Sequence, residues 1–168
     1  MWRGPVADGG VEGQARFAAS AGNASVAWLN DEALAAGNDD GSVSMYQLPP
    51  AGASCLVQVP PVQLTEHTDA VTCVGVGRAG GGGAQQVASG SLDGSVKLWD
   101  AAAGKAGSVR TLEHVRKESW TATHVHALLW LGADEPAVLA SAASDGVLRW
   151  WDPRVPSALA SACAAETG

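Results

Sequence analysis

Serine, histidine and aspartate, the three side-chain types that together can activate a nucleophile, occur near the middle of this 168-residue sequence. His67, Ser89 and Asp93 are the candidates, because a base held next to a serine hydroxyl is what acyl transfer requires. The sequence contains neither a GxSxG turn to present such a serine nor an HExxH segment to hold a metal. Whether these side chains react or hold the fold together therefore depends on the elements that position them.

Two further patterns could bind a cofactor or a metal. Residues 75–80 spell GxGxxG after an apolar run, but a dinucleotide site needs a helix to begin there, and the glycines continue through 81–83 instead. His124 and His126 share one face of a predicted strand, yet no Cys, Asp or Glu stands at a spacing that would complete a zinc site. We therefore expect no cofactor and no metal.

A sequence repeat positions all these residues. Residues 93–100 read DGSVKLWD, residues 145–152 read DGVLRWWD, and residues 40–47, which read DGSVSMYQ, are a weaker copy. The three glycines are 53 and 52 residues apart, a period typical of one supersecondary unit stacked on its neighbours. Each Asp-Gly pair predicts a tight turn in which glycine takes a positive φ: Asp40 with Gly41, Asp93 with Gly94, and Asp145 with Gly146.

Each unit is predicted to contain four short β-strands, because apolar residues alternate between turn residues. The last stretch of the third unit is alanine-rich and would suit a helix on propensity alone, and the repeat assigns it to a strand. The predicted strands are 25–30, 33–36, 42–48 and 54–59 in the first unit, 70–76, 87–91, 95–100 and about 108–112 in the second, and 124–131, 137–141, 147–152 and about 157–161 in the third. The predicted organisation is a loose or single-stranded leading segment (1–24), a degenerate first repeat (25–60), a second repeat (61–112) and a third repeat opened by an insertion (113–168).

The second unit closely resembles a WD40 repeat, from the EHTDAV run at 66–71 to the ASGSLDGSVKLWD run at 88–100. The resemblance extends over roughly residues 25–161 and implies an all-β chain of about three four-stranded antiparallel propeller blades. Propellers close with four to eight blades. We therefore expect an incomplete ring, either an open fragment of a larger ring or one that a second chain completes.

The resemblance also implies a structural hydrogen-bonded tetrad in each good repeat. In the second repeat the tryptophan N–H would donate to the serine, the serine to the histidine, and the histidine to the aspartate. The first repeat has Ala36 and Tyr46 in place of the serine and tryptophan. In the third repeat His114 is the candidate histidine, although the insertion displaces it. The structural residues implied are His67, Ser89, Asp93 and Trp99, followed by Ser141, Asp145 and Trp151, with Asp40 serving only its turn.

Proteins of this family are interaction platforms, so the resemblance implies a non-enzymatic scaffold without a small-molecule substrate. Residues 28–43 and 151–156 look like the N-terminal blades of methylosome-type WD-repeat subunits, which implies an arginine methyltransferase and its basic substrates as partners. The formal net charge of −7, with ten scattered basic residues, agrees with basic partners and argues against nucleic acid.

A second partner class rests on residues 151–154. This WD-x-R ending resembles the box by which some WD40 proteins dock to the adaptor of cullin-type ubiquitin ligases, with Asp152 and Arg154 as anchors. Trp120, in the polar insertion, is a further candidate for partner contact because exposed tryptophans are common anchors.

The cysteines and the apolar runs indicate the cellular compartment in which the protein is expected. Cys55, Cys73 and Cys163 are odd in number and share no short spacing, which is typical of reduced thiols. Residues 1–13 are polar and glycine-rich, unlike a signal segment, and no run approaches the roughly 20 apolar residues of a membrane-spanning helix. We expect a cytoplasmic or nuclear protein that does not bind a membrane.

Overall fold

The computed structural model describes residues 21–47, 62–78, 85–101, 107–114, 123–131, 138–155 and 158–163. These residues form twelve β-strands in three antiparallel sheets of four strands each. The first sheet contains β1 (Asn23–Asn30), β2 (Ala33–Asn38), β3 (Ser42–Gln47) and β4 (Val62–Thr65); the second contains β5 (Val71–Arg78), β6 (Gln85–Ser91), β7 (Ser95–Asp100) and β8 (Arg110–Glu113); the third contains β9 (Val125–Leu131), β10 (Val138–Ala143), β11 (Val147–Trp151) and β12 (Ala158–Cys163).

The turn between the second and third strands of each sheet is built by its Asp-Gly pair. The glycine φ angles are 83° at Gly41, 84° at Gly94 and 73° at Gly146, a region that residues with a Cβ rarely adopt. The aspartate before each glycine accepts the backbone N–H two residues further on, at 2.8 to 3.0 Å. Because the turn contains its own hydrogen bonds, it fixes the register of the two strands that it joins.

One strand lies elsewhere than the sequence predicts. The strand expected at 54–59 lies outside the described residues, and the strand that pairs with β3 is β4, with Val62 and Met45 as register partners in the backbone. The first sheet thus takes its last strand from the span assigned to the second repeat. The boundary between the two sheets falls between Thr65 and Val71.

The core consists of two apolar layers between consecutive sheets. β5 packs against both β1 and β9, so the sheets fan out from these three strands. The first layer joins Leu29, Ala35, Val43 and Leu64 to Val71, Val74, Val87 and Trp99, and the second joins Cys73, Ala88, Val96, Leu98 and Leu112 to Val125, Leu139 and Trp151.

The all-β prediction is confirmed: the described strands form three blade-like sheets of an open propeller, and they do not close a ring. No helix among the described residues is long and apolar enough to cross a bilayer.

Candidate functional site

The four candidate residues of the second sheet lie in one chain of hydrogen bonds. Trp99 Nε1 donates to Ser89 Oγ at 2.8 Å. His67 lies just after β4, with its Nε2 atom 2.8 Å from Ser89 Oγ and its Nδ1 atom 2.8 Å from Asp93 Oδ2. The last strand of the first sheet is thereby tied to the middle strands of the second.

The partners determine where the protons lie. The Asp93 carboxylate only accepts, so the His67 proton is on Nδ1, and Nε2 accepts the Ser89 hydroxyl. Burial lowers the pKa of His67, and the hydrogen bond to Asp93 offsets this only in part. Burial raises the pKa of Asp93, but hydrogen bonds from Ser95 and His67 outweigh it, so that the pKa is lowered overall. At neutral pH the site holds a neutral imidazole and an ionised carboxylate.

This arrangement does not resemble an accessible nucleophile. Ser89 is 0 % exposed, its oxygen accepts the N–H of Trp99, and its hydroxyl is directed to His67. Because a substrate needs an open approach to the attacking atom, Ser89 and its neighbours are placed to hold sheets together.

The third sheet contains a similar network with one additional member. His114 follows β8, and its Nε2 atom lies 2.7 Å from Ser141 Oγ, which also accepts Trp151 Nε1 at 2.7 Å. Asp145 does not bond the histidine directly, as Asp93 does in the second sheet, because Arg149 lies between Asp145 and His114. Arg149 Nη1 lies 2.8 Å from His114 Nδ1, and Arg149 Nη2 lies 2.8 Å from Asp145 Oδ2.

Arg149 reverses the histidine tautomer. A guanidinium only donates, so His114 Nδ1 must accept, and the His114 proton lies on Nε2. Burial, and next the positive charge of Arg149, lower the pKa of His114 to about 4, although Asp145 acts in the opposite direction. Burial raises the pKa of Asp145, but its hydrogen bond from Arg149 outweighs this and lowers the pKa overall.

Sequence reasoning missed Arg149. The register places it opposite Ser141, as Lys97 is placed opposite Ser89 in the second sheet. Lys97 instead lies near Glu66, with Nζ 3.6 Å from Oε2. The available signal was the spacing: Arg149 is four residues after Asp145 and two before Trp151, which puts it on the tryptophan's face of β11.

The first sheet has a different polar cluster. Asn38 Nδ2 donates to both Ser42 Oγ and Ser44 Oγ, at 2.8 and 2.9 Å. Asp40 accepts the backbone N–H and the hydroxyl of Ser42, and these two bonds lower its pKa. The serine position of the tetrad is held by Ala36, which faces Ser44 across the strand pair.

The candidate partner-binding residues have separate surroundings. Arg154 Nε and Nη2 donate to the Asp152 carboxylate at 2.8 and 2.5 Å, and Arg154 is exposed. The hydrogen bonds from Arg154 lower the pKa of Asp152 to about 2. Trp120 lies outside the described residues.

The two histidines considered for a zinc site make other contacts. His124 Nδ1 donates to the Leu92 carbonyl at 2.6 Å, and the rings of His124 and His126 have centroids 6.5 Å apart. Within the described ranges, no group of three or more His, Cys, Asp or Glu side chains is placed to hold a metal ion.

Comparison with known families identifies the repeat. Residues 58–100 match the WD40 family (WD domain, G-beta repeat). The matched segment begins before β4 and ends with β7, so it includes His67, Ser89, Asp93 and Trp99. This WD40 repeat therefore spans two sheets, since β4 belongs to the first and β5 to β7 belong to the second. No curated protein sequence matches the chain.

Solved structures share the sheet arrangement of this chain. The computationally designed Ika8 protein matches with a TM-score of 0.57 and 20 % identity, over 83 % of this chain and 36 % of its own. The computationally designed Ika4 protein matches with a TM-score of 0.64 and 19 % identity, over 90 % and 80 %. A chain of the Mitotic Checkpoint Complex matches with a TM-score of 0.64 and 23 % identity, over 88 % and 40 %. At these identities the likeness shows the fold, and this chain spans well under half of Ika8 and of the checkpoint chain.

Removing the hydroxyl of Ser89 tests the tetrad. Ser89→Ala leaves the buried N–H of Trp99 without its acceptor, so we expect the free energy of unfolding to fall by about 2 kcal/mol. The measurement is urea unfolding followed by tryptophan fluorescence and far-UV circular dichroism. In Trp99→Phe, which lacks that N–H, the same serine change should cost clearly less; equal costs in both backgrounds would contradict the assignment.

The His114 pKa predicts a pH dependence with a defined sign. Between pH 6.5 and about 4 the unfolded chain binds a proton at residue 114 and the folded chain does not. The free energy of unfolding should therefore fall as pH is lowered through this window. His67, whose pKa is also lowered, contributes with the same sign.

Urea midpoints at pH 7.5, 6.0 and 5.0 measure this slope. Arg149→Met removes the cation beside His114, so the folded pKa should rise toward its ordinary value and the slope should become shallower. His114→Gln should remove the residue's share entirely and serves as the reference variant. A slope that is identical in all three proteins would refute the role of Arg149.

Proposed function

We propose that this protein is a non-enzymatic scaffold for protein–protein interaction. The WD40 repeat and the propeller-like sheets support this class. The observation that carries the proposal is the use of its polar side chains: Ser89 and Ser141 are buried and hydrogen-bonded to tryptophan and histidine. These side chains, which could otherwise suggest catalysis, hold the sheets together rigidly. Partner binding then falls to the loops.

A basic protein tail is the partner that suits the charge of one described surface. Asp39, Asp40 and Asp69 are exposed at the end of the sheets where the Asp-Gly turns lie. They are neighbours, because a Cβ built on Gly41 would lie only 3.0 Å from the Asp69 carbonyl oxygen. We call these three carboxylates the acidic junction. They would attract a lysine- or arginine-rich segment by charge complementarity.

The likeness of residues 28–43 and 151–156 to methylosome-type subunits supports a more specific form of the proposal. In this form the scaffold pairs with an arginine methyltransferase and presents basic tails to it. The net charge of −7 agrees with such substrates. A cytoplasmic or nuclear location is proposed with it, in keeping with the free, buried thiol of Cys73.

Charge reversal tests the acidic junction. We expect the double change Asp39→Lys with Asp69→Lys to weaken binding of an arginine-rich histone-tail peptide by roughly tenfold, as for loss of about 1.4 kcal/mol. The measurement is fluorescence anisotropy at low and at moderate salt, with a steeper salt dependence in the unmodified protein.

The matched control reverses two exposed carboxylates at the opposite end of the first sheet, Asp31→Lys with Glu32→Lys. Both double variants change the net charge equally. If they weaken binding equally, the effect is one of overall charge, and the acidic junction is not the peptide site.

A second candidate function is docking to the adaptor of a cullin-type ubiquitin ligase through residues 151–154. The observation that favours it is the position of Arg154, which is 58 % exposed in its side chain while Asp152 orients its guanidinium. An oriented, exposed guanidinium is suited to pairing with a carboxylate of a partner.

Affinity capture with mass spectrometry separates the two partner classes. If the adaptor proposal is right, the unmodified protein captures the adaptor and Arg154→Ala loses it, since the guanidinium is gone. If the methyltransferase proposal is right, the methyltransferase is captured by both proteins. Melting curves check that Arg154→Ala is folded, because Asp152 loses its partner in that variant.

A further inference from the structure

Arg110, in β8, carries a buried guanidinium nitrogen that lacks a hydrogen bond. Among the residues that the structure describes, its Nη1 atom is one of the few buried side-chain atoms without an acceptor or donor partner. Buried polar groups in folded proteins are nearly always paired, and an unpaired charged donor costs more than an unpaired neutral one. We therefore looked for the acceptor that this nitrogen could gain.

The strand registers place Arg110 at the boundary with the third sheet. Arg110 is the register partner of Leu98, so both side chains lie on one face of the second sheet. Leu98 belongs to the core layer that also contains Trp151 of the third sheet. Asp152 follows Trp151 directly and is 8 % exposed. Arg110 and Asp152 thus lie on the two sides of the same boundary between sheets.

Asp152 lies within the electrostatic reach of Arg110. Hydrogen bonds from Arg154 are the main reason that the pKa of Asp152 is lowered to about 2, and the positive charges of Arg154 and Arg110 contribute further. Asp100 also lies on this face of the second sheet, two residues beyond Leu98, and it makes other interactions. The charge of Arg110 therefore acts on Asp152, whose side-chain hydrogen bonds come from Arg154.

The Asp152 carboxylate is held in two ways, of which only one involves the Arg154 side chain. Oδ1 accepts the backbone N–H of Arg154 at 2.8 Å, inside a turn that the Val155 N–H closes onto the Asp152 carbonyl at 3.0 Å. The Arg154 guanidinium supplies the other bonds, including Nη2 to Oδ2 at 2.5 Å. Because the backbone bond orients the carboxylate by itself, Asp152 would keep its place if the Arg154 side chain turned away.

The two arginines differ in their access to solvent. The Arg154 side chain is 58 % exposed, whereas the Asp152 side chain is 11 % exposed and Arg110 Nη1 is buried. An ion pair with one member this exposed contributes little to stability, so its long side chain can change partner at low cost. Arg154 is therefore the arginine that a partner can draw away, and Arg110 is the one that stays beside Asp152.

We propose that Asp152 serves the two arginines in alternation: Arg154 turns to a carboxylate of a partner protein, and Asp152 Oδ2 then accepts Arg110 Nη1. This inference rests on the second candidate function, in which Arg154 docks to a partner. Removing one member of a buried ion pair normally leaves an uncompensated charge. Here docking leaves Asp152 paired, and the unpaired nitrogen of Arg110 gains its acceptor. Arg110 is thus a positioning residue that acts on docking through Asp152.

The local charge favours a carboxylate as the group that Arg154 binds. Arg110, Asp152 and Arg154 together carry two positive charges and one negative charge. A single carboxylate neutralises the remaining charge of +1 and suits the planar fork of a guanidinium. A phosphate group carries close to two negative charges at neutral pH and would meet stronger repulsion from Asp152.

The pKa of Asp152 in four proteins tests the alternation without any partner. Carbon-13 NMR of the Asp152 carboxyl group measures it in the unmodified protein, in Arg110→Met, in Arg154→Met and in the double variant. Arg110→Met should leave the pKa at about 2, since Arg154 still pairs with Asp152. Arg154→Met should keep it clearly below its ordinary value of 3.8, because Arg110 takes over the carboxylate, and the double variant should bring it back toward 3.8.

The decisive comparison is the effect of Arg110→Met with and without Arg154. If it shifts the pKa of Asp152 equally in both backgrounds, Arg110 acts only as a fixed charge and the proposal is wrong. Lys97→Met is the matched control, because Lys97 precedes Leu98 in β7 and lies on the opposite face. It should leave the pKa unchanged in both backgrounds. Arg110→Leu is the substitute if circular dichroism shows that Arg110→Met is misfolded.

Adaptor capture then links the alternation to docking. If the unmodified protein captures the ligase adaptor, Arg110→Met should capture several-fold less although Arg154 is intact, and Lys97→Met should capture the same amount. Equal capture by Arg110→Met would overturn the role of Arg110 in docking. If the unmodified protein captures no adaptor, the docking function is wrong, and the NMR comparison still decides whether Asp152 alternates between the two arginines.

Discussion

The rest of the structure depends on one constraint, which is that each tryptophan N–H buried between the sheets needs a hydrogen-bond acceptor. Trp99 and Trp151 fill the space between sheets, and each brings one hydrogen-bond donor into the buried interior. An unpaired donor there costs more than a paired one contributes. A serine on the neighbouring strand accepts it, and that serine is in turn bonded to a histidine from the end of the preceding sheet. Satisfying one N–H thus fixes three chain segments and joins two sheets.

The two networks solve the same problem with different electrostatics. In the second sheet an aspartate carboxylate accepts the histidine N–H directly, and the pair is a neutral imidazole beside an anion. In the third sheet Arg149 lies between Asp145 and His114, so the histidine takes the opposite tautomer and its pKa falls to about 4. Both forms keep the imidazole neutral at physiological pH. Each network therefore acts as a fixed link, which is the property that a binding scaffold needs.

The sheets also share one direction of packing: the face that carries Val43 or Val96 meets the tryptophan-bearing face of the next sheet. Val96 is buried because the third sheet packs on it, whereas Leu148, at the equivalent position of the third sheet, is 47 % exposed.

The sequence by itself determined eleven of the twelve strands and the three Asp-Gly turns, because alternation, turn chemistry and the repeat are local properties. The residues of the second sheet's network were implied by the resemblance to WD40 repeats. The sequence did not determine that β4 completes the first sheet, since strand pairing across a long connection depends on which edge is available. Nor did it place Arg149 between His114 and Asp145, because the histidine arrives from another sheet and only the packed structure brings it within reach of the guanidinium. The exposure of Leu148 was equally invisible in the sequence, where it matches Val43 and Val96. Burial is decided by the neighbour, and only the tertiary structure shows which neighbours are present.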